Sequence, residues 1–152
     1  MTSIELSNFL KEKKLTISSA ESFTGGLFAR EITRIPGASK IFKGAIVSYA
    51  TEVKINVLGV PQKIVDNFGV VSSECAYEMA DRVRKLLGSD IGVSFTGNAG
   101  PDTMENKPAG KIFIGVSIKD RTCTYEYDLN GSREEIQNKA LEIAFSLIKD
   151  FF

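Results

Sequence analysis

Leu15-Thr16-Ile17-Ser18-Ser19-Ala20-Glu21-Ser22-Phe23-Thr24-Gly25-Gly26 reads as a strand that turns within a few residues into a helix. Leu15 to Ala20 has strand length, and from Thr24 onward Leu27, Phe28, Ile32 and Ile35 recur at helical spacing until Pro36-Gly37 stops the pattern. A strand that feeds a helix directly is half of a βαβ unit, and the rest of the chain continues the alternation.

Upstream, Thr2 and Glu5 make a capping-box pattern ahead of Leu6, Phe9 and Leu10, which predicts a short amphipathic helix ended by Lys11 to Lys14. Downstream, Phe42 to Tyr49 predicts a second strand, Thr51 the N-cap of a short helix reaching Leu58, and Pro61 a further turn of helix. The clearest helix runs from Ser72 or Ser73 to Leu87, with Ala76, Met79, Ala80, Val83, Leu86 and Leu87 on one face and Gly88 as its terminator.

Ile91 to Thr96 predicts a third strand that empties into Gly97-Asn98-Ala99-Gly100-Pro101, a loop too rich in glycine to be regular. Gly110 to Ile118 and Thr122 to Asp128 are strand-like and separated only by Lys119, Asp120 and Arg121, a link so short that it forces an antiparallel hairpin. Ser132 to Glu135 is a second capping box, with Ile136, Ala140, Ile143, Ala144 and Leu147 as the buried stripe of a last helix. The expected fold class is α/β, a three-layer α/β/α sandwich around a mixed, mainly parallel sheet that includes an antiparallel hairpin.

Composition narrows the function. A chain of 152 residues without repeat, linker or low-complexity tract is expected to form a single domain over residues 1–152. Lysine plus arginine and aspartate plus glutamate each number 19, so nothing marks a broad surface for nucleic acid or an anionic membrane. Cys75 and Cys123 stand far apart and there is no histidine to complete a zinc set, so a structural metal is not expected. Met1 to Leu6 lacks a basic region and a long apolar core, and no window approaches the about 18 apolar residues of a membrane span. A cytoplasmic setting with reduced cysteines is the expectation.

A hydroxyl at a strand-to-helix turn is a place where a nucleophile can sit, and Ser22 occupies it. Thr24, Gly25 and Gly26 would offer free backbone N–H groups to an oxyanion or a phosphate. Equally, Ser22 or Thr24 could be an ordinary N-cap, and the glycines could serve close packing. Without histidine, a nucleophilic Ser22 needs another base. Lys54, in Ser48-Tyr49-Ala50-Thr51-Glu52-Val53-Lys54, follows a second strand end that parallel pairing would bring to the same rim, although by itself it reads equally as an ordinary solvated helix lysine, and Tyr49 as a half-buried strand aromatic. A lysine acts as a base only when neutral, which requires its pKa to fall from about 10.4 to near 7, roughly 4 to 5 kcal/mol of bias. Thr96, Gly97 and Gly100 leave a third strand end, Lys107 lies in the excursion beyond them, and Arg133 follows the Ser132 cap, where it could share a phosphate with the helix N-terminus.

Taken in order, Ala20-Glu21-Ser22-Phe23-Thr24-Gly25-Gly26, Ile35-Pro36-Gly37-Ala38-Ser39, Gly44 to Tyr49, Lys54, Leu58-Gly59-Val60, Thr96 to Pro101 and Lys107-Pro108 resemble the CinA C-terminal domain family across nearly the whole chain. Its stand-alone members include nicotinamide-nucleotide amidase. The resemblance implies hydrolysis of nicotinamide mononucleotide to nicotinate mononucleotide and ammonia, with Ser22 as nucleophile, Lys54 as its base, and Tyr49 positioning or relaying the proton. It further implies Thr24, Gly25, Gly26, Thr96, Gly97, Gly100 and Arg133 around a small pyridine nucleotide, a scheme that requires no metal or organic cofactor, and a homo-oligomer. Longer family members carry an N-terminal domain that this sequence is not expected to include. Phe23 stands where the family has cysteine, in position to narrow the pocket, and Asn98 where it has an apolar residue. The alternative is a catalytically weak nucleotide-binding or protein-interaction module of the same fold.

Overall fold

Thr2 Oγ1 accepts a hydrogen bond from the Glu5 N–H while the Glu5 carboxylate accepts one from the Thr2 N–H, so helix α1 (Ser3–Lys13) starts at the predicted capping box. The computed structural model describes residues 1–152, and the chain continues through β1 (Ile17–Glu21), α2 (Leu27–Thr33), β2 (Phe42–Val47), α3 (Thr51–Asn56), α4 (Gln62–Phe68), α5 (Ser73–Leu87), β3 (Ile91–Gly97), β4 (Lys111–Ile118), β5 (Arg121–Asp128) and α6 (Arg133–Asp150). A single 3-10 turn, Ala38–Lys40, precedes β2.

One five-stranded sheet runs in the order β2-β1-β3-β4-β5. β1 pairs in parallel with both β2 and β3, and β3, β4 and β5 continue antiparallel, which makes the sheet mixed as expected. Because the chain leaves β1 for β2 on one side and later enters β3 on the other, β1 and β3 flank a topological switch point, where open α/β sheets bind ligands.

The two faces of the sheet differ in chemistry. Ile17, Ile91, Val93, Phe95, Ile112, Ile114 and Val116 face α1, α2 and α6 and form the larger core with Leu6, Phe28, Ile136 and Phe145. The opposite face carries Ser18, Gly92, Ser94 and Gly115, and there α5 lies almost on the backbone. Ser18 Oγ donates to the Val83 carbonyl at 3.3 Å and Ser94 Oγ to the Ala76 carbonyl at 2.7 Å, both on α5. A Cβ added at Gly92 would stand 2.2 Å from the Ala80 carbonyl oxygen, and one at Gly115 2.5 Å from that of Ala76. The smaller core of Leu58, Val60, Val71, Cys75 and Met79 closes this layer.

Several predicted boundaries shift for physical reasons. Helix α2 begins at Leu27, not Thr24, because Gly25 and Gly26 take left-handed φ values of 58° and 101°. Ala50, not Thr51, is the N-cap of α3, and Pro61 is the N-cap of α4. Leu86 is 56 % exposed, since α5 buries only the side that rests on the sheet. The α6 stripe turns slightly from the expected one: Leu141, Phe145 and Ile148 are buried beside Ile136, Ala140 and Ala144, whereas Ile143 and Leu147 are half-buried.

The close seating of α5 generates a stability prediction. Gly92→Ala should destabilise the fold by about 2 kcal/mol or more, because its methyl group meets rigid backbone and not a movable side-chain end. A drop in the denaturant midpoint at unchanged m-value would be the measured outcome.

Candidate active site

Ser22 is the first residue beyond β1, and both neighbouring strands pin it there. The Ser22 N–H donates to the Phe95 carbonyl at 3.0 Å, and the Ser48 N–H to the Glu21 carbonyl at 2.8 Å. The next helix is capped from behind. Glu21, fully buried, accepts hydrogen bonds from the N–H groups of Phe28 and Ala29 at 3.0 Å each, from Thr24 Oγ1 at 2.8 Å and from Ser19 Oγ at 3.0 Å. This carboxylate occupies the positive end of α2, so that end is not open to a ligand.

Lys54 lies in the short helix α3 with only 1 % of its surface exposed. Its Nζ is 2.9 Å from Ser22 Oγ, 2.6 Å from the Ser48 carbonyl and 3.1 Å from the Tyr49 carbonyl. Burial pushes the amine below the ordinary lysine value of 10.5, against smaller upward pulls from Cys75 and Glu105. Two carbonyls take two N–H bonds of the amine. The remaining tetrahedral direction, an N–H in the ammonium and a lone pair in the neutral amine, points at Ser22.

Ser22 opens onto a cavity of about 480 Å³ that is also lined by Phe23, Tyr49, Gly97, Asn98, Ala99, Gly100, Pro101, Asp102, Thr103, Met104 and Arg133. The structure therefore brings Ser22, Tyr49, Gly97, Gly100 and Arg133 to one cleft, with Lys54 directly behind Ser22. The exposed Arg133 guanidinium bridges the cleft mouth, donating to the Gly100 carbonyl at 2.8 Å and to Tyr49 Oη at 2.9 Å. Tyr49 is 59 % exposed, its phenol accepting from Arg133 while its main-chain carbonyl holds Lys54.

Other expected residues sit off the cavity wall. Thr24 spends its hydroxyl on Glu21, and the Gly25 N–H donates to the Ser22 carbonyl at 3.0 Å. Gly26 does not line the cavity either; the N–H groups of Phe23, Thr24 and Gly26, in contrast to that of Gly25, donate to no acceptor in the protein. Thr96 Oγ1 is committed to the Val70 carbonyl at 2.7 Å. Gly97 does reach the cavity, but its lack of a side chain serves β4, since a Cβ there would lie 2.5 Å from the Lys111 carbonyl oxygen. Lys107 donates to the Val71 carbonyl and lies 3.7 Å from Glu105.

Three residues act in ways their spacing did not announce. Phe23 is buried edge-on against Phe95, ring centroids 6.5 Å apart, and its carbonyl accepts from Gln137 Nε2 at 2.8 Å. Asn98 staples the loop from within, donating to the Met104 and Lys107 carbonyls and accepting from the Met104 N–H, all within 3.1 to 3.2 Å. Glu21 is the third; an acidic residue just ahead of a strand-to-helix turn is the sequence signal that could have marked it as a cap. No group of three or more His, Cys, Asp or Glu side chains is placed to hold a metal ion, both cysteines are free, and no helix is long and apolar enough to cross a membrane.

Fold and cleft together define an α/β sandwich with a histidine-free lysine–serine pair at the carboxyl ends of parallel strands. The chain belongs to the CinA C-terminal domain family, whose profile it matches over residues 2–152. It is 51% identical over 144 residues to a putative competence-damage inducible protein of Bacillus subtilis, covering 95% of this chain and 35% of that protein. A Listeria welshimeri protein of the same description is 50% identical over 143 residues, covering 93% of this chain and 34% of its own length. The chain thus spans about a third of these curated relatives. Among solved structures, the competence damage-inducible protein A of Klebsiella pneumoniae superposes with a TM-score of 0.93 at 26% identity, over 99% of this chain and 96% of that one. A CinA superfamily protein of Escherichia coli gives 0.94 at 26% identity, over 99% and 88%.

The Glu21 cap can be weighed directly. Glu21→Ala leaves two N–H groups and two hydroxyls without an acceptor and should cost about 3 kcal/mol or more, while Glu21→Gln, which keeps one accepting oxygen, should cost clearly less. Equilibrium denaturation of both variants measures the difference.

Proposed function

We propose that the protein is an amidohydrolase that converts nicotinamide mononucleotide to nicotinate mononucleotide and ammonia. The observation that carries the reading is the buried Lys54 Nζ, 2.9 Å from Ser22 Oγ and oriented on it by two main-chain carbonyls. A depressed lysine beside a serine is a base for a nucleophile in a chain that has no histidine. Family membership and the resemblance noted above direct the chemistry to a pyridine carboxamide.

In this mechanism neutral Lys54 takes the Ser22 hydroxyl proton as Oγ attacks the carboxamide carbon. The tetrahedral oxyanion is stabilised by the free N–H group of Phe23, the residue after the nucleophile, which lines the cavity; this shifts the assignment from the Thr24 to Gly26 stretch, of which Gly25 is already bonded and no residue lines the cavity. Collapse breaks the C–N bond, and the Lys54 ammonium returns its proton to the leaving nitrogen, which departs as ammonia. The ester on Ser22 is then attacked by water, one of whose protons passes to Lys54 and on to Ser22 Oγ as the C–O bond breaks, leaving the carboxylic acid, which ionises to the carboxylate product by releasing its proton to solvent. No cofactor takes part.

Tyr49 contributes its carbonyl to Lys54, and its exposed ring gives the pyridine a surface to stack on. Arg133 uses two donors on Gly100 and Tyr49 and retains others for the nucleotide phosphate at the cleft mouth. The same reading carries a cytoplasmic setting, a homo-oligomeric assembly, and no role for nucleic acid or membrane.

Ammonia release from nicotinamide mononucleotide tests the proposal. Ser22→Ala and Lys54→Met should each lower kcat at least about 10³-fold. Binding of the nucleotide without ammonia release by the unaltered protein would instead favour a binding module. The pH dependence has a defined sign: protonated Lys54 cannot accept the Ser22 proton, so activity should rise with pH through a midpoint below the ordinary lysine value of 10.5.

A further inference from the structure

Twelve residues, Ser22 among them, line the cavity, and only two of the twelve carry a charge: Asp102 and Arg133. The two do not neutralise each other. Arg133 spends donors on the Gly100 carbonyl and on Tyr49 Oη, while the Asp102 carboxylate joins no salt bridge of the protein. An exposed aspartate without a partner is ordinary on a surface. This one is held at the wall of the cleft onto which the serine opens.

The loop that carries Asp102 is closed at its neck by Asn98. The Asn98 main chain still pairs with the sheet, its N–H donating to the Lys111 carbonyl at 2.9 Å and its carbonyl accepting from the Gly110 N–H at 2.6 Å. Asn98, itself buried, uses its side chain to hold both the carbonyl and the N–H of Met104. Residues 99 to 103 therefore span two fixed points, and Arg133 pins Gly100 between them. Just beyond the neck, the Glu105 carboxylate accepts from the Val70 and Val71 N–H groups at 2.8 Å each. Asp102 thus has its main chain set on both sides and its carboxylate left over for the cavity.

A ligand with its carboxamide at Ser22 and its phosphate at Arg133 lays its ring along the rest of the cavity wall. That wall offers apolar surface from Tyr49 and Met104, 59 % and 47 % exposed, and one further charge, on Asp102. A neutral ring needs only the apolar surface. A pyridine made cationic by N-ribosylation carries a permanent positive charge, which is costly to take from water unless an anion meets it. We propose that Asp102 is a specificity-determining residue of this cleft: its carboxylate is the counter-charge for an N-ribosylated pyridinium ring, so the site selects pyridinium carboxamides over their uncharged dihydropyridine counterparts. The inference rests on the pyridine carboxamide reading for the identity of the ring and goes beyond it in assigning a charge preference to one residue.

Three ligands separate the two charges of the cleft. Nicotinamide mononucleotide carries ring charge and phosphate, its reduced dihydropyridine form the phosphate alone, and nicotinamide riboside the ring charge alone. Calorimetry on the Ser22→Ala protein gives dissociation constants without turnover. Adding Asp102→Asn, which keeps size and removes charge, should weaken nicotinamide mononucleotide and nicotinamide riboside about tenfold and leave the reduced nucleotide within about twofold. Adding Arg133→Met should show the complementary pattern, weakening the two phosphorylated ligands more than the riboside. Equal weakening of oxidised and reduced nucleotide in Asp102→Asn, or no change in either, overturns the proposal. Ammonia release, read on the protein with Ser22 intact, keeps the two readings apart. Ring-charge selectivity without ammonia release leaves the assignment of Asp102 standing and removes the amidase reading; ammonia release without that selectivity does the opposite. If none of the three ligands binds, both fall.

Discussion

Glu21 takes four hydrogen bonds within 2.8 to 3.0 Å, two from the backbone of α2 and two from hydroxyls of the turn and of its own strand. It lies at the end of β1, the strand that pairs with both β2 and β3, so the first crossover of the fold and the first functional hydroxyl share one anchor. A buried carboxylate normally carries a large desolvation cost, and here a helix N-terminus and two hydroxyls offset it in place of a cation. Once that carboxylate fills the start of α2, the turn between them has little freedom left. Ser22 is directed away from the helix and toward the rim where Lys54 arrives.

The arrival of Lys54 depends on the other layer. Helix α5 sits so close to the sheet that glycines and serines replace branched residues on that face, and sheet hydroxyls bond to helix carbonyls. The core below α3 and α4 is correspondingly thin, made of Leu58, Val60, Val71 and Cys75. Lys54 reaches through it with its head fully enclosed. Desolvation lowers its proton affinity, and the Ser48 and Tyr49 carbonyls aim what remains of its valence at Ser22. Packing and chemistry are the same fact at this position.

How much of this was readable in the chain varies by residue. Both capping boxes, at Thr2 and Ser132, are local patterns of a few residues and appear where expected. The hairpin of β4 and β5 follows from a link too short for anything else. Helix α2 starts later than its sequence predicts because Thr24, Gly25 and Gly26 look like a helix opening, while Glu21 takes over the capping from outside that window. Leu86 falls on the helical stripe yet is exposed, because a period of 3.6 cannot tell how narrow a contact stripe a close-packed sheet will leave. Asn98 and Glu105 gave no local signal, since their partners lie in other parts of the loop or at the α4–α5 junction.

By itself the amino-acid sequence determined the order of elements, the mixed sheet and the absence of histidine, because periodicity, capping and composition are properties of neighbours along a chain. Strand ends alone left Ser22 and Lys54 as candidates among others, and it was the ordered set of motifs resembling one family that joined them as a pair. Tertiary structure alone decided that Nζ lies 2.9 Å from Oγ, that Arg133 ties Tyr49 to Gly100, and that Thr24 and Thr96 spend their hydroxyls on the scaffold. Those outcomes are set by which groups compete for one hydrogen bond across a sheet rim, and residues far apart in sequence compete only once the sheet has brought them together.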